Sequence, residues 1–340
     1  MSNQINFSEV EYRIKRKKTQ KERFLERMES IVPLERWCGI IRPHYYENGN
    51  GRQPIPLATM LRMYLVSLWY NLSDAQAEDL IIENMAVRNY VGVSGEAPDE
   101  TTLCKFRHIL ESNNLMQIIF EELRGLLQEK KVMLKEGTIV DATIIEAPDS
   151  TKNKDKKPNS EMRLTKKGNK KYFGIKAHIG VDKESGLIHS VAVTAANVSD
   201  IEMANAVLHG EESEVRGDAG FIGIEKREEI CEKYQDGSGR KEKQKPSHGK
   251  KRPDTLVKRQ DVKFIINRKR STVITEEEKA EERAKSRIRA IVEHSFCTLK
   301  HVFGFRRVRY RTVVKSTHQL LMLFALVNIY RCSQRKWNIK

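Results

Sequence analysis

Residues 137–146 read Gly-Thr-Ile-Val-Asp-Ala-Thr-Ile-Ile-Glu, a β-branched run that follows a lysine-rich helix and stops before Ala147-Pro148. Such a run favours a strand. Side chains alternate along a strand, so Asp141 shares a face with Ile139 and Thr143, while Val140, Ala142 and Ile144 take the other. A carboxylate in the middle of a buried strand is costly unless its charge is compensated. A metal ion is one compensator and a buried arginine or lysine is another. Any fold for this chain has to accommodate that acid.

Upstream, residues 1 to about 30 are charged and helical in pattern, with a basic cluster Lys15-Arg16-Lys17-Lys18 that suits either a solvated face or a DNA contact. Residues 31–130 read as all helix. Pro54 and Pro56 precede an apolar helix from Leu57 to Tyr70. Ser73 with Gln76 forms a capping-box pattern, and a further helix spans about Asn84 to Tyr90. Asp99 is placed to cap Glu100–Leu110, and Leu115–Lys130 is amphipathic. Thr101, Thr102, Lys105, Arg107 and His108 gather near one helix start, which fits a helix-turn-helix-like DNA reader or an ordinary helical bundle.

Downstream of the strand, 151–171 is lysine-rich and reads as a mobile loop. Tyr172–Val181 and Leu187–Thr194 read as a hairpin around Lys183-Glu184-Ser185-Gly186. A helix is expected from Asp200 to about His209. Ser213–Phe221 is a short strand running into a glycine-flanked turn, with Asp218 at the strand's end, where functional groups collect in α/β sheets. A helix from Ile224 to Tyr234, a second basic loop over 236–259 and a strand over 262–266 follow. Thr275 with Glu278 caps a helix running to about Lys300. Phe305–Val314 alternates as a strand does, with Arg307, Arg309 and Arg311 on the face of Phe305. Thr317–Arg331 is an apolar helix.

The order of elements predicts a mixed α/β protein, with an all-α domain over 1–130 and an α/β domain with inserted basic loops over 131–335. Lys+Arg number 62 against 46 Asp+Glu, a net charge of +16 over 340 residues. That balance points to a polyanionic partner, most often nucleic acid. Met1–Gln4 opens no apolar stretch, so no signal peptide is expected, and the run Leu57–Leu72 is interrupted by Arg62. The five cysteines are scattered with no Cys-x-x-Cys pair, which argues against a disulfide framework or a structural zinc site. The chain reads as soluble and intracellular.

On the helix 275–300, Arg289, Glu293 and Lys300 fall on one polar stripe, extended by Ser286, beside an apolar stripe of Val292, Phe296 and Leu299. Glu293 thereby sits at the edge of the buried face, or forms a plain surface pair with Arg289. Two aspartates on strands and a glutamate on a helix suit two Mg2+ ions and phosphodiester chemistry. Glu146, Asp182 and Asp200 are competing acids in the same half.

Several stretches, in this order and spacing, resemble the DDE transposases of bacterial insertion sequences, in the branch around insertion sequence five. They are 137–148, then Tyr172-Phe-Gly-Ile-Lys176-Ala-His178-Ile-Gly-Val-Asp182, Thr194-Ala-Ala-Asn-Val-Ser-Asp200, Arg216-Gly-Asp218-Ala-Gly-Phe-Ile-Gly223 and Arg289-x-x-x-Glu293-x-x-x-x-x-x-Lys300. Pro98–Arg107 is similar to the N-terminal helical domain of that family. The resemblance spans about 35–332. It implies an RNase H-like catalytic domain with Asp141, Asp218 and Glu293 as catalytic and metal-binding acids. It also implies two Mg2+ ions, with Mn2+ able to substitute, and double-stranded DNA, both transposon ends and target, as partner. A homodimer or larger assembly on DNA, no membrane, and a bacterial cytoplasmic, nucleoid-associated location go with it. The residues set against DNA are Arg289, Lys300, Lys176, His178, Arg307, Arg309, Arg311, Lys105 and Arg107. The sequence departs from the family at Ser286, which stands in a tyrosine slot. A non-catalytic DNA-binding repressor and a host nuclease of the same fold are the alternative functions.

Overall fold

The computed structural model describes residues 17–46, 54–134, 136–148, 161–234, 262–268 and 275–339. The basic loop expected over 236–259, the stretch 151–160, and Lys15 and Arg16 lie outside them. Two compact units emerge. One holds 1–130, 297–306 and 318–340, the other 131–296 and 307–317.

The helical unit contains α1 (Gln20–Ile31), α2 (Leu34–Ile41), α3 (Leu57–Trp69), α4 (Asp74–Glu83), α5 (Met85–Val91), α6 (Glu100–Ser112) and α7 (Leu115–Glu129). Their starts follow the capping chemistry. Reciprocal capping boxes form at Thr19/Glu22 and Ser73/Gln76, and the Asp99 carboxylate accepts from the Thr102 N–H at 2.6 Å. Trp37, Met60, Leu61, Trp69, Phe106 and Phe324 are buried in its core.

Phe324 belongs to the last helix, Val313–Gln334, most of which packs within this unit. Besides 1–130, this unit takes in residues 297–306 and 318–340, which return to the helices. There Tyr330 meets Phe24 and Phe303 at ring separations of 6.4 and 6.0 Å. By length and composition this helix would cross a membrane, but two thirds of its apolar window is buried, as in a core helix.

Among the described residues, the second unit is built on a six-stranded mixed sheet. Its strands are β1 (Gly137–Glu146), β2 (Arg163–Lys167), β3 (Lys170–Asp182), β4 (Ile188–Ala195), β5 (Glu214–Gly217) and β6 (Lys263–Ile266). β1 lies between antiparallel β3 and parallel β5, and β6 extends the sheet parallel to β5. β4 pairs with 175–181 of β3, whereas β2 pairs with 170–174. Within the expected 151–171 loop, the described residues 163–171 form a hairpin whose turn uses Gly168 at φ 61°. The expected 200–209 helix is a 3-10 turn followed by α8 (Ala204–Val207), and the 224–234 helix shrinks to α9 (Glu228–Lys233) after a similar turn.

α8 and α9 cover one sheet face through Val140, Val207, Leu208, Val215, Phe221 and Ile230. α10 (Glu276–Cys297) starts at the Thr275/Glu278 cap and runs into a π turn over Thr298–Val302. The segment 305–314 forms no strand; its one β-bridge joins Arg307 to Glu146. Alternation was present there, but no neighbouring strand continues the ladder.

Gly180 brings β3 against α8. A methyl there would lie 2.1 Å from the Val207 carbonyl oxygen and 2.6 Å from the His189 ring. Backbone cannot swing aside as a side-chain end can, so Gly180→Ala is expected to cost about 2–3 kcal/mol. The lowered midpoint would show in a urea titration, and an unshifted midpoint would mean that α8 moves freely.

Candidate active site

Parallel pairing places Gly137 opposite Glu214, Thr138 opposite Val215 and Ile139 opposite Arg216. Continuing that register by two residues sets Asp218, just past the end of β5, level with Asp141. Asp218 is extended (φ −80°, ψ −176°) and caps a short turn by accepting from the Gly220 N–H at 2.8 Å. The strand order therefore brings two acids 77 residues apart in sequence to the same level of adjacent strands.

Asp141 is 14 % exposed and its Oδ2 accepts from Arg289 Nη1 at 3.2 Å. Its Oδ1 accepts from the Ala142 N–H at 2.8 Å. Of the two compensators that the sequence left open for this acid, metal or a basic side chain, Arg289 supplies the basic one. The same guanidinium reaches Glu293 Oε1 from Nη2 at 3.1 Å. Val292 and Ser295 are buried and Glu293 is exposed, so Glu293 stands at the edge of the helix face, linked to Asp141 through Arg289.

Burial pushes the Asp141 carboxyl up to about 6. The Ala142 N–H and Arg289 oppose that shift, while the negative charges of Asp218 and Asp200 reinforce it. Asp200 is a fourth acid of the site that the sequence reading left among the competitors. Its Oδ2 lies 3.4 Å from the position of a Cβ on Gly220, and Asp218 Oδ1 lies 2.9 Å from it. The signal was its place in the Thr194–Asp200 stretch, directly after β4.

Lys176 and His178 have partners inside the sheet unit. The Lys176 ammonium lies 3.0 Å from Asp200 Oδ1 and donates to the Val198 carbonyl at 2.7 Å. His178 is 1 % exposed and shares a hydrogen bond with Thr194 Oγ1 at 2.9 Å. Burial lowers the His178 pKa, so the ring is neutral and its 3.7 Å approach to Asp200 is not an ion pair. Both side chains, set against DNA in the sequence reading, are largely buried with partners in this unit.

Arg107 is likewise engaged within the helical unit. It grips both Asp74 oxygens at 2.9 Å and reaches Glu111 at 3.5 Å. Lys105 is exposed on α6. Arg307, Arg309 and Arg311 are exposed, with Arg307 3.6 Å from Glu146. Lys300 sits half-buried on the π turn, in the stretch that packs with the helical unit. Ser286, in the tyrosine slot, accepts from Asn267 Nδ2 at 3.2 Å, and the same nitrogen donates to Glu282.

The donor set fits a hard divalent cation in kind: two aspartates at one level, one of them desolvated, and a glutamate one guanidinium away. Among the described residues, however, no three acids or histidines are gathered closely enough to hold a metal ion. Arg289 occupies the bridge between Asp141 and Glu293.

Residues 133–329 match the family described as Transposase DDE domain, and residues 12–109 match Transposase domain (DUF772). No solved structure matches the chain. The DDE family implies an RNase H-like fold and generally uses divalent metals. The two matches together indicate the types around insertion sequences four and five, without separating the branches. The DDE match alone spans more than half of the 340 residues, and the chain belongs to the DDE transposase family.

Proposed function

We propose that the chain binds the terminal repeats of its element, cleaves the phosphodiester at each end and joins the freed 3′-hydroxyl to target DNA by direct transesterification. Asp141, Asp218 and Glu293 would hold two Mg2+ ions. The observation that carries this reading is the desolvated Asp141, level with Asp218 and linked through one guanidinium to Glu293. When bound, the cations supply Lewis acidity at the attacking and leaving oxygens. Asp141, central in the sheet and fixed by its neighbour's N–H, serves as the rigid ligand. Glu293, on a helix edge, is the adjustable one. Arg289 neutralises both acids beforehand, and a guanidinium released from them suits a bidentate grip on phosphate.

Residues 1–130 would serve as the DNA-binding domain and 131–335 as the catalytic one, acting as a dimer or larger assembly on DNA in the bacterial cytoplasm. Lys105, Arg307, Arg309 and Arg311, all exposed, would meet phosphates. The test mixes full-length protein, Mg2+ and duplexes carrying the ends that flank its own gene. Wild type is expected to nick the ends and link them to a second DNA, while Asp218→Asn and Glu293→Gln do neither. Cutting without joining would indicate a nuclease. Binding without metal-dependent cutting would indicate a repressor.

A further inference from the structure

The hairpin β2–β3 extends past the rest of its sheet. Residues 175–181 of β3 pair with β1 and β4, but 170–172 pair with β2 alone, and the Phe173 carbonyl also accepts from the Ala147 N–H at 2.8 Å. What projects is a two-stranded ribbon closed by Gly168-Asn169. Its pairing register sets Lys167 opposite Lys170 and Lys166 opposite Lys171. All four lysines are exposed, and none forms an ion pair among the described residues. Like charges directly opposite on paired strands repel. The isolated fold is therefore worse off for this arrangement, and a polyanion would relieve it.

The distribution of charge narrows the geometry. Opposed residues share a face of the ribbon, and faces alternate along it. One face carries Arg163, Lys167 and Lys170, with Thr165 opposite Tyr172. The other carries Lys166 and Lys171, with Leu164 opposite Phe173. A ribbon lying across one DNA backbone needs cations on a single face. Cations on both faces suit an element with phosphates on both sides, which is the situation inside a groove. Paired strands are about 4.8 Å apart, and the major groove, about 12 Å wide, admits a two-stranded ribbon. Leu164 is 63 % exposed, an apolar side chain of the kind that meets thymine methyl groups there.

We propose that the β2–β3 ribbon enters the major groove of duplex DNA tip first, with its lysine pairs directed at the phosphates of the two walls. The inference rests on DNA being the substrate of the family. It does not depend on which acids perform the chemistry.

The test uses full-length protein and a 30-base-pair random duplex in EDTA, so that no cleavage is needed. Affinity is read by fluorescence anisotropy across a NaCl series. Each phosphate contact on B-DNA contributes about −0.9 to the slope of log affinity against log salt. The variant carrying Lys166→Gln, Lys167→Gln, Lys170→Gln and Lys171→Gln is expected to have a slope shallower by about 3–4 and at least about tenfold weaker binding near physiological salt. Its melting temperature should be no lower than that of wild type, since repulsion is removed. Lys171→Glu alone separates binding from folding further: it should raise the melting temperature while weakening DNA binding.

Duplex in which every cytosine carries a glucosylated 5-hydroxymethyl group has an obstructed major groove. Wild type is expected to bind it about as weakly as the quadruple variant binds plain DNA. An unchanged salt slope in the quadruple variant would take the ribbon off the DNA. A shallower slope with no effect of glucosylation would place it on the backbone and overturn the groove assignment. Loss of affinity for a structured RNA, with duplex binding intact, would assign it to a different polyanion. A failure of the acid-site reading would appear only in the Mg2+ cleavage assay, so the two outcomes are separable.

Discussion

Asp141→Asn is expected to make the metal-free protein more stable at pH 8 and inactive. Burial and two neighbouring acids raise the Asp141 carboxyl to about 6 from an ordinary 3.8. Below pH ~4 the group is protonated in both folded and unfolded chains and stability is unaffected. Between ~4 and ~6 the unfolded chain releases its proton while the folded one retains it. Stability therefore falls as pH rises through that window, and the deficit is complete above it. Two units correspond to about 3 kcal/mol. Asparagine removes that cost but accepts less well from Arg289, so a net gain of about 2 kcal/mol is expected at pH 8, vanishing near pH 4.

Cleavage should drop by about three orders of magnitude or more, the scale for losing a group that stabilises developing charge. Mg2+ should stabilise wild type and leave the variant nearly unmoved. Urea titrations at both pH values, with and without Mg2+, check each part. A variant less stable than wild type at pH 8 in EDTA would show that Arg289 already compensates the buried charge in full.

The second large effect is structural. Glu212 is 1 % exposed and accepts from four groups. These are the N–H of His209 and of Gly210, both at 2.7 Å, the Tyr234 hydroxyl at 2.6 Å and the Thr138 hydroxyl at 3.2 Å. They come from β1, the α8–β5 connection and the residue following α9, so one side chain ties three parts of the sheet unit together. Thr138 keeps His189 as a second partner at 3.0 Å, but the other three donors would lose this acceptor in Glu212→Ala. At about 1–3 kcal/mol for each buried unsatisfied group, a loss of about 3–5 kcal/mol is expected. Glutamine is expected to rescue little, since its amide would turn donors toward donors. Tyr234→Phe, which removes one hydroxyl and leaves the other bonds, should cost about 1 kcal/mol. Hydrogen exchange at Val215 in β5 reads the effect within the sheet unit. A change below 1 kcal/mol in Glu212→Ala would mean that water replaces the carboxyl.

Several of these features were legible in the residues. The β-branched run around Asp141 became the strand between β3 and β5, and the four-residue step from Arg289 to Glu293 became a hydrogen bond of 3.1 Å. Capping residues at 73, 99 and 275 began helices where their side chains could accept from backbone N–H groups. What escaped depends on partners remote in sequence. A lysine-rich stretch reads as solvated loop, yet Gly168-Asn169 between two such runs is also a hairpin turn, and β3 supplied the second strand. Alternation in 305–314 matched a strand but found no continuing ladder. Charge in Lys176 and Arg107 announced cations without announcing Asp200 and Asp74. The last helix was visible as apolar, but its return to the helices is a matter of packing that no local pattern carries.

Strand β3 runs without a loop from the ribbon turn to the level of Asp141, whose cross-strand partner is Ile179. From Asn169 to Ile179 is ten residues, about 33 Å at strand rise. One turn of B-DNA is about 34–36 Å. The ribbon turn and the level of Asp141 are therefore about one such period apart along β3. If the ribbon grips DNA as proposed, a single piece of backbone sets its distance from the acids, and that spacing is written in its length.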